Sequence, residues 1–136
     1  MVRPGAPADL AAVGAIQASS PGAAQWEPAD YLAHELWVAA LDGAIAGFLA
    51  GRKVTEGEYE LLNLAVSPEF RRRGIGRELF AHYARRACGA IYLEVRKSNH
   101  TARNFYKSVG FQQVAVRPRY YESPPEDGIV MKFHSC

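Results

Sequence analysis

The pattern of apolar and polar residues predicts six to seven β-strands along the chain. They cover residues 2–3, 37–41, 44–54, 59–66, 91–96, 111–116 and 129–133. Asp42 and Gly43, between the second and third of these runs, are a pair typical of a two-residue hairpin turn. Gly47 and Gly51 weaken the third strand, so we expect a β-bulge or a close backbone approach there.

Apolar residues three and four positions apart predict four helices. The first begins at residues 7–9 and places Leu10, Val13 and Ile16 on one side. The others cover residues 28–36, 76–88 and 101–109, and Gly110 is suited to end the last one. A Pro-rich loop is expected at residues 118–125. Because an early hairpin is followed by alternating strands and helices, we expect an α/β (α+β) fold with a mixed sheet in one domain, residues 1–136.

The composition, with 49% hydrophobic and 22% charged residues, is that of a soluble globular protein. A net charge of +2 is too small to indicate nucleic-acid binding, so we expect no nucleic-acid partner. The basic residues instead cluster locally, most densely at residues 71–77. That clustering suits a small polyanionic ligand better than a duplex.

The cysteines and histidines predict neither a disulfide framework nor a metal site. Cys88 and Cys136 lie far apart, which fits a reducing compartment, and the four histidines include no i,i+4 pair. The chain begins without the apolar core of a signal peptide. Its longest apolar region, 36–51, is interrupted by Asp42 and short for a membrane span. We therefore expect a cytoplasmic protein with no membrane partner.

The segment Arg71-Arg72-Arg73-Gly74-Ile75-Gly76-Arg77 follows an apolar strand and opens a helix. A helix start leaves backbone N–H groups unpaired and carries partial positive charge, and arginines add forked donors for phosphate oxygens. The segment lacks the G-x-x-x-x-G-K-[ST] string of a Walker loop, and Leu79 stands where a dinucleotide fingerprint needs its third glycine. The remaining interpretations are a pyrophosphate site of another kind or a basic, solvated turn.

The spacing Arg71-x-x-Gly74-x-Gly76 resembles the acetyl-CoA-binding loop of the GNAT superfamily of N-acetyltransferases. Two further segments, Leu93-Glu94-Val95-Arg96-x-Ser98-Asn99 and Phe105-Tyr106-x-Ser108-x-Gly110-Phe111, closely resemble the bacterial ribosomal-protein alanine N-acetyltransferases. Those enzymes acetylate the N-terminal alanine of small-subunit ribosomal protein bS18. The segments Asn63-Leu64-Ala65-Val66-x-Pro68 and Arg117-x-x-Tyr120-Tyr121 fit the same family.

Three of these residues have a structural and a chemical interpretation. Glu94 lies on the opposite strand face from its apolar neighbours, either as a general base beside a cleft or as a carboxylate that is solvated or paired with Arg96. Tyr106 either packs in the core or protonates a leaving thiolate. Asn99 either caps the following helix or bonds a pantetheine arm.

The resemblance implies a single GNAT-type domain, with a mixed, mostly antiparallel sheet flanked by about four helices, that uses acetyl-CoA and no metal. It implies Glu94 as base, Tyr106 as acid, and a protein or peptide N-terminus as acceptor. The implied cofactor residues are Leu64, Ala65, Val66, Arg71, Arg72, Arg73, Gly74, Ile75, Gly76, Arg77 and Asn99, and the implied acceptor residues are Trp26, Arg117, Tyr120 and Tyr121.

Two other functions remain open at this point. One is transfer to another amine: a lysine, a polyamine, an antibiotic or several N-termini. The other is a noncatalytic module that contacts CoA or RNA. The chain also departs from the family pattern, because residues 77–94 are about one helical turn shorter than usual and Asp127-Gly128 replaces the usual Asp-Ala.

Overall fold

Seven strands form one mixed sheet in the computed structural model, which describes residues 1–20, 22–122 and 124–136. The strand order is β1-β2-β3-β4-β5-β7-β6; β4 and β5 run parallel and the other neighbouring pairs run antiparallel. The strands are β1 Val2–Pro4, β2 Glu35–Leu41, β3 Ala44–Thr55, β4 Glu58–Val66, β5 Ala90–Arg96, β6 Gln112–Tyr121 and β7 Glu126–His134. This confirms the predicted mixed, mostly antiparallel sheet.

Helices cover both faces of the sheet. The α-helices are α1 Leu10–Ala18, α2 Ile75–Arg86 and α3 His100–Val109, and short 3-10 helices span Pro7–Asp9, Pro28–Ala33 and Pro68–Phe70. The four predicted helices therefore exist, the second of them as a 3-10 helix. The predicted cap is confirmed at Gly110, which ends α3 with a φ of 115°.

The predicted hairpin and strand irregularities are confirmed. Asp42 and Gly43 have φ values of 52° and 78°, as a two-residue turn with both central residues left-handed requires. The pairing register shifts between Ala50 and Gly51. A Cβ at Gly47 would lie 3.0 Å from the carbonyl oxygen of Ala65, so the backbones of β3 and β4 approach closely there.

Two predicted boundaries are wrong, because strand pairing prevails over local sequence signals. The second helix does not reach residue 36: it ends at Ala33, and Leu36 lies in β2, opposite Ala50. The Pro-rich loop 118–125 is shorter than predicted, because β6 continues to Tyr121 across an irregular stretch and pairs with Glu126.

The expectation of no disulfide is also wrong. The antiparallel pairing of β7 with β5 brings the last residues of the chain to the turn between α2 and β5, where Cys136 forms a disulfide with Cys88. Ser135 fixes the same corner, since its hydroxyl accepts from the Gly89 N–H at 2.9 Å. The argument for a reducing compartment from unpaired cysteines therefore falls away.

Two apolar clusters lie on opposite faces of the sheet. The larger cluster joins α2 and α3 to strand residues such as Leu49, Leu93 and Ile129. The smaller cluster joins α1 and the Pro28–Ala33 helix to residues of β2, β3 and β4, and none of its members comes from β5, β6 or β7 in the described residues. On this second face, no helix in the described ranges packs over the part of the sheet formed by β5, β7 and β6. None of the helices in the described ranges has both the length and the apolar character needed to cross a membrane.

Candidate active site

The parallel strands β4 and β5 pair only at their beginnings. The pairing runs from Glu58 with Ala90 to Glu60 with Tyr92 and stops there in the described chain. Beyond that point, no residue of 61–66 in β4 is paired with a residue of 93–96 in β5, although the two strands are adjacent in the sheet order. We call this opening the split, and strand ends that stop pairing leave backbone groups available to a ligand.

The backbone N–H of Val66, at the end of β4, points towards the split. The next N–H, that of Ser67, donates to Ala46 on the β3 side at 2.7 Å. Because successive N–H groups of a strand point to opposite sides, that of Val66 points away from β3. The N–H of Leu64 points in the same direction and donates to Oδ1 of the Asn63 side chain at 3.0 Å. The Leu64 side chain packs against the larger apolar cluster, whereas Ala65 is buried in the smaller one.

The arginine–glycine segment forms the predicted turn at the start of α2. Arg72 and Gly74 have left-handed φ values of 66° and 77°, and Gly74 is the N-cap of the helix. The first intrahelical bond is donated by Glu78 to the Gly74 carbonyl at 3.0 Å. Within the described ranges, the N–H groups of residues 72–77 donate to no protein acceptor outside the helix ladder, so they form a cluster of free donors.

The arginine side chains of this turn divide into two groups. Arg71 bonds the Val66 carbonyl at 3.1 Å and the Ser20 hydroxyl at 3.2 Å, and Arg77 bonds the Ser108 hydroxyl at 3.0 Å. Arg73 lies over the Phe70 ring, and neither it nor Arg72 has a carboxylate partner among the described residues. Two guanidinium groups are thus available to an anion at the free N–H cluster.

Gly76 brings α2, α3 and β4 together at one end of the split. A Cβ there would lie 3.2 Å from the Phe105 ring and 3.8 Å from Val66 Cγ2. Ile75 is buried beside it in the larger cluster. A larger residue at position 76 would separate the free N–H groups from the end of β4, which explains a glycine here without a positive φ.

Glu94 lies on the uncovered face of β5, two residues beyond Tyr92, the last residue of β5 that pairs with β4. Its neighbours Leu93 and Val95 are buried on the opposite face, as the alternation predicts. The carboxylate is paired with Arg117, whose Nη1 donates to Oε1 at 2.6 Å, and not with Arg96. The second oxygen, Oε2, is buried and has no hydrogen-bond partner in the described structure. A buried carboxylate oxygen without a donor keeps its capacity to take up a proton or to accept a hydrogen bond from a ligand.

Tyr106 has the packing that the structural interpretation predicts. Its ring contacts Phe105 and Phe111 with centroid distances of 5.3 and 5.4 Å, and the residue is 7% exposed. Burial raises the pKa of the Tyr106 phenol, so the group keeps its proton at neutral pH. Packing in the core and proton donation are therefore compatible for this residue.

Asn99 has the structural role considered for it. Its Oδ1 accepts from the Ala102 N–H at 3.2 Å and so caps α3, while Nδ2 donates to the Gly22 carbonyl at 3.1 Å. The segment that follows α1 is also bonded by Arg71 at Ser20 and by Asn63 at the Ala24 carbonyl, the latter at 2.9 Å. Three residues around the split thus fix this segment.

Trp26 lies in the same segment and packs on Tyr31 and His34, with centroid distances of 5.7 and 6.0 Å. The segment depends on a buried polar network that the sequence analysis missed. Gln17 accepts from the Tyr31 hydroxyl at 2.5 Å and donates to the Trp26 carbonyl at 2.6 Å. The signal for it was Asn63, a polar residue within the apolar run 61–66.

The other residues predicted to contact an acceptor lie around Glu94. Arg117 lies 4.1 Å from the centre of the Tyr120 ring, and Tyr121 lies against Arg96, 4.5 Å from its guanidinium. Burial, followed by the Glu94 charge, raises the pKa of Tyr121. The structure therefore brings Glu94 together with three of the four residues predicted to contact an acceptor, while Trp26 contacts Tyr31 and His34 instead.

Comparisons with known proteins agree on the family. The Acetyltransferase (GNAT) family profile matches residues 13–111. The chain is 36% identical over 96 residues to the [ribosomal protein bS18]-alanine N-acetyltransferase of Escherichia coli K12, covering 66% of this chain and 64% of that protein. It is 44% identical over 78 residues to the N-alpha-acetyltransferase RimI of Mycobacterium tuberculosis, covering 55% and 48%.

A solved structure extends the likeness over nearly the whole chain. The crystal structure of the E. coli ribosomal-protein-S18-alanine N-acetyltransferase superimposes with a TM-score of 0.81 at 27% identity, covering 98% of this chain and 92% of that one. The sequence matches, by contrast, span about half to two thirds of the length of the two relatives named above. The chain belongs to the GNAT family of acetyltransferases.

Proposed function

We propose that this protein is an acetyl-CoA-dependent N-acetyltransferase whose acceptor is a protein N-terminal amine, specifically the N-terminal alanine of ribosomal protein bS18. Family membership supports acetyl transfer, and the names of the E. coli and M. tuberculosis relatives support an α-amine as acceptor. A ribosomal acceptor would place the protein in the cytoplasm.

The single observation that carries the proposal is the state of the Glu94 carboxylate. One oxygen is held by Arg117. The other is buried and has no donor among the described residues, on the sheet face that no helix of the described chain covers. Glu94 also lies in the part of β5 that pairs with β7 but no longer with β4, so an acceptor on this face and an acyl donor in the split can meet beside it. This arrangement suits a general base better than a carboxylate that only stabilises the fold.

The residues at the other end of the split fit the acyl donor. Free N–H groups of residues 72–77 and the guanidinium groups of Arg72 and Arg73 suit a pyrophosphate, and Gly76 keeps them close to β4. The backbone of residues 64–66 would align the pantetheine arm. Asn99 and Arg71 would contribute less directly, because their side chains already bond Gly22, Ser20 and Val66.

The reaction that these groups support is direct attack of a neutral amine on the thioester carbonyl carbon. An N-terminal α-amine has a pKa near 8, so a fraction is neutral at physiological pH and Glu94 removes the proton from the rest, directly or through water. The N–H of Val66 donates to the carbonyl oxygen as negative charge develops there. As the C–N bond forms, the nitrogen loses a proton to the Glu94 carboxylate, directly or through water. The C–S bond then breaks, and Tyr106 gives its proton to the departing thiolate. Exchange with solvent water removes the proton from Glu94 and returns one to Tyr106.

The acceptor would lie on the uncovered face between Trp26 and the Tyr120–Tyr121 pair. Aromatic rings and guanidinium planes offer broad contacts to a peptide backbone and its first side chains. We infer that this surface, and not the arginine–glycine turn, selects the acceptor.

The proposal is tested with an acceptor panel and one variant pair. Peptides beginning Ala-Arg-Tyr are compared with other N-termini, with a peptide whose only free amine is a lysine, and with polyamines, using acetyl-CoA and mass detection of the added acetyl group. Glu94→Gln should lower kcat by about 10²–10⁴-fold while acetyl-CoA binding stays nearly unchanged. Glu56→Gln is the matched control, because Glu56 lies in an exposed turn. Equal activity of Glu94→Gln and wild type would remove Glu94 from the base role, and preference for lysine or polyamine would overturn the N-terminal acceptor.

A further inference from the structure

Four residues from three strands form a continuous stack that ends at the Glu94 carboxylate. Gly128 of β7 lies under Tyr120, because a Cβ at position 128 would come within 3.3 Å of Tyr120 Cβ and Cδ2. The Tyr120 ring in turn carries the Arg117 guanidinium, 4.1 Å from its centre. Arg117 Nη1 then donates to Glu94 Oε1 at 2.6 Å. The stack therefore runs from the backbone of β7, through two side chains of β6, to the carboxylate on β5.

The stack makes the two oxygens of Glu94 inequivalent. Oε1 accepts a charge-assisted bond from Arg117, whereas Oε2 is buried and has no partner among the described residues. A carboxylate whose one oxygen is held by a planar cation cannot rotate freely about its last torsion. The unpartnered oxygen is therefore the one that can take a proton, and its direction is set by the oxygen that Arg117 holds.

The surroundings of the stack assign this task to Arg117 and not to the other arginine on the face. Arg96 lies two residues from Glu94 but pairs with Glu126 at 3.3 Å and with the Tyr121 ring. Glu126 is further fixed by the Ser98 N–H at 2.6 Å. Tyr92 and Arg96 flank Glu94 on the same face of β5. Among the ion pairs of the described chain, only that of Arg117 involves Glu94.

We propose that Arg117 is a positioning residue for the general base: it fixes Glu94 through Oε1, so that Oε2 takes the proton of the acceptor amine, and Tyr120 seated on Gly128 holds the arginine in place. This inference rests on the proposed function and deepens it, because it gives Arg117 and Tyr120 a task beyond contact with the acceptor. It also gives a reason for the glycine at position 128, since the methyl group of an alanine would force the Tyr120 ring outwards by a few tenths of an ångström.

The test is a double-mutant cycle measured on the best acceptor of the panel at saturating acetyl-CoA. Arg117→Gln should lower kcat roughly tenfold, because only part of the rate enhancement by a general base, about 10²–10⁴-fold in total, depends on its positioning. The KM for the acceptor should change less than about twofold. In a Glu94→Gln background the same change should lower kcat less than about twofold, because a residue that acts through Glu94 has nothing left to position. Arg117→Lys should restore kcat partly.

Two further variants keep the test independent of any effect on folding. Gly128→Ala should lower kcat in the wild type and add little to Arg117→Gln, since both act at the same stack. Arg119→Gln is the matched control, because this arginine lies two residues along the same strand and has no ion-pair partner in the described residues. Circular dichroism and thermal unfolding establish that each variant is folded.

Each outcome separates the inference from the proposed function. A raised KM with an unchanged kcat for Arg117→Gln would make Arg117 an acceptor contact only and overturn the inference. An equal loss of kcat in the wild-type and Glu94→Gln backgrounds would also overturn it, since Arg117 would then act independently of the base. Activity on a different amine would overturn the proposal of an N-terminal acceptor. The double-mutant cycle would then be measured on that amine and would test the role of Arg117 in the same way. Wild-type activity that Glu94→Gln does not reduce would overturn the base role and the inference together.

Discussion

The side-chain amide of Asn63 donates to the hydroxyl of Tyr31 at 2.8 Å, although 32 residues separate the two along the chain. Asn63 is 5% exposed and Tyr31 is fully buried. Burial raises the pKa of Tyr31, which keeps its hydroxyl protonated and able to donate onward to Gln17. Through Gln17 and the Ala24 carbonyl, this one contact ties β4, next to the split, to the segment that carries Trp26.

The first prediction concerns the stability that this network provides. Asn63→Ala should lower the free energy of unfolding by about 1–3 kcal/mol, because it leaves the Tyr31 hydroxyl and the Ala24 carbonyl with fewer partners in a buried site. Urea unfolding followed by circular dichroism measures the change. Asn104→Ala, at an exposed position of α3, should stay within about 0.5 kcal/mol of the wild type. An equally small effect at position 63 would show that the network is not a source of stability.

The second prediction concerns the anion site proposed at the start of α2. Replacing both Arg72 and Arg73 by Gln should raise the dissociation constant of acetyl-CoA at least roughly tenfold, because two charged donors to phosphate oxygens are lost. Isothermal titration calorimetry at two salt concentrations gives the constant and its ionic-strength dependence, which should weaken in the variant. Arg52→Gln, on the far part of β3, is the control. An unchanged constant would assign the affinity to the backbone N–H groups alone.

The third prediction separates the two roles of Tyr106. Tyr106→Phe keeps the ring contacts with Phe105 and Phe111, so the midpoint of thermal unfolding should change little. If the phenol protonates the leaving thiolate, kcat should fall about 10²-fold or more with the KM for acetyl-CoA nearly constant. Tyr106→Leu should lower the stability as well. An unchanged kcat in Tyr106→Phe would leave only the packing role.

The fourth prediction concerns the Cys88–Cys136 disulfide. The bond closes a loop with a sequence separation of 48 residues, and its reduction should lower the free energy of unfolding by about 4 kcal/mol through the gain of unfolded-chain entropy. Urea unfolding with and without dithiothreitol measures the difference. A Cys88→Ser/Cys136→Ser variant should match the reduced protein and should not respond to the reductant. Equal stability in both conditions would make the bond dispensable for the fold.

The sequence predicted the fold well where local signals and tertiary pairing agree. The turn at Asp42 and Gly43, the caps at Asn99 and Gly110 and the buried alternation around Glu94 all depend on residues within a few positions of one another. The predictions failed where a distant partner decides the outcome. Leu36 joined a strand because β3 pairs with it, and the end of β6 was set by β7.

For the candidate site, the sequence identified the residues more readily than their partners. Spacing and resemblance indicated Glu94, Tyr106 and the arginine–glycine turn as separate motifs. They paired Glu94 with Arg96 as one possibility, whereas the structure pairs it with Arg117, 23 residues away. Arg71 and Arg72 were both predicted to contact the cofactor, yet Arg71 is bonded to the chain itself and Arg72 has no carboxylate partner in the described residues.

By itself, the sequence determined which residues could bind a phosphate, take a proton or end a helix, because side-chain chemistry and backbone preferences are local properties. The tertiary structure alone decided that β4 and β5 separate after three paired residues, that Cys88 meets Cys136, and that Arg117 holds one oxygen of Glu94 and leaves the other free. Those relationships join residues that are distant along the chain, and they exist only once sheet pairing and burial have fixed the distances between them.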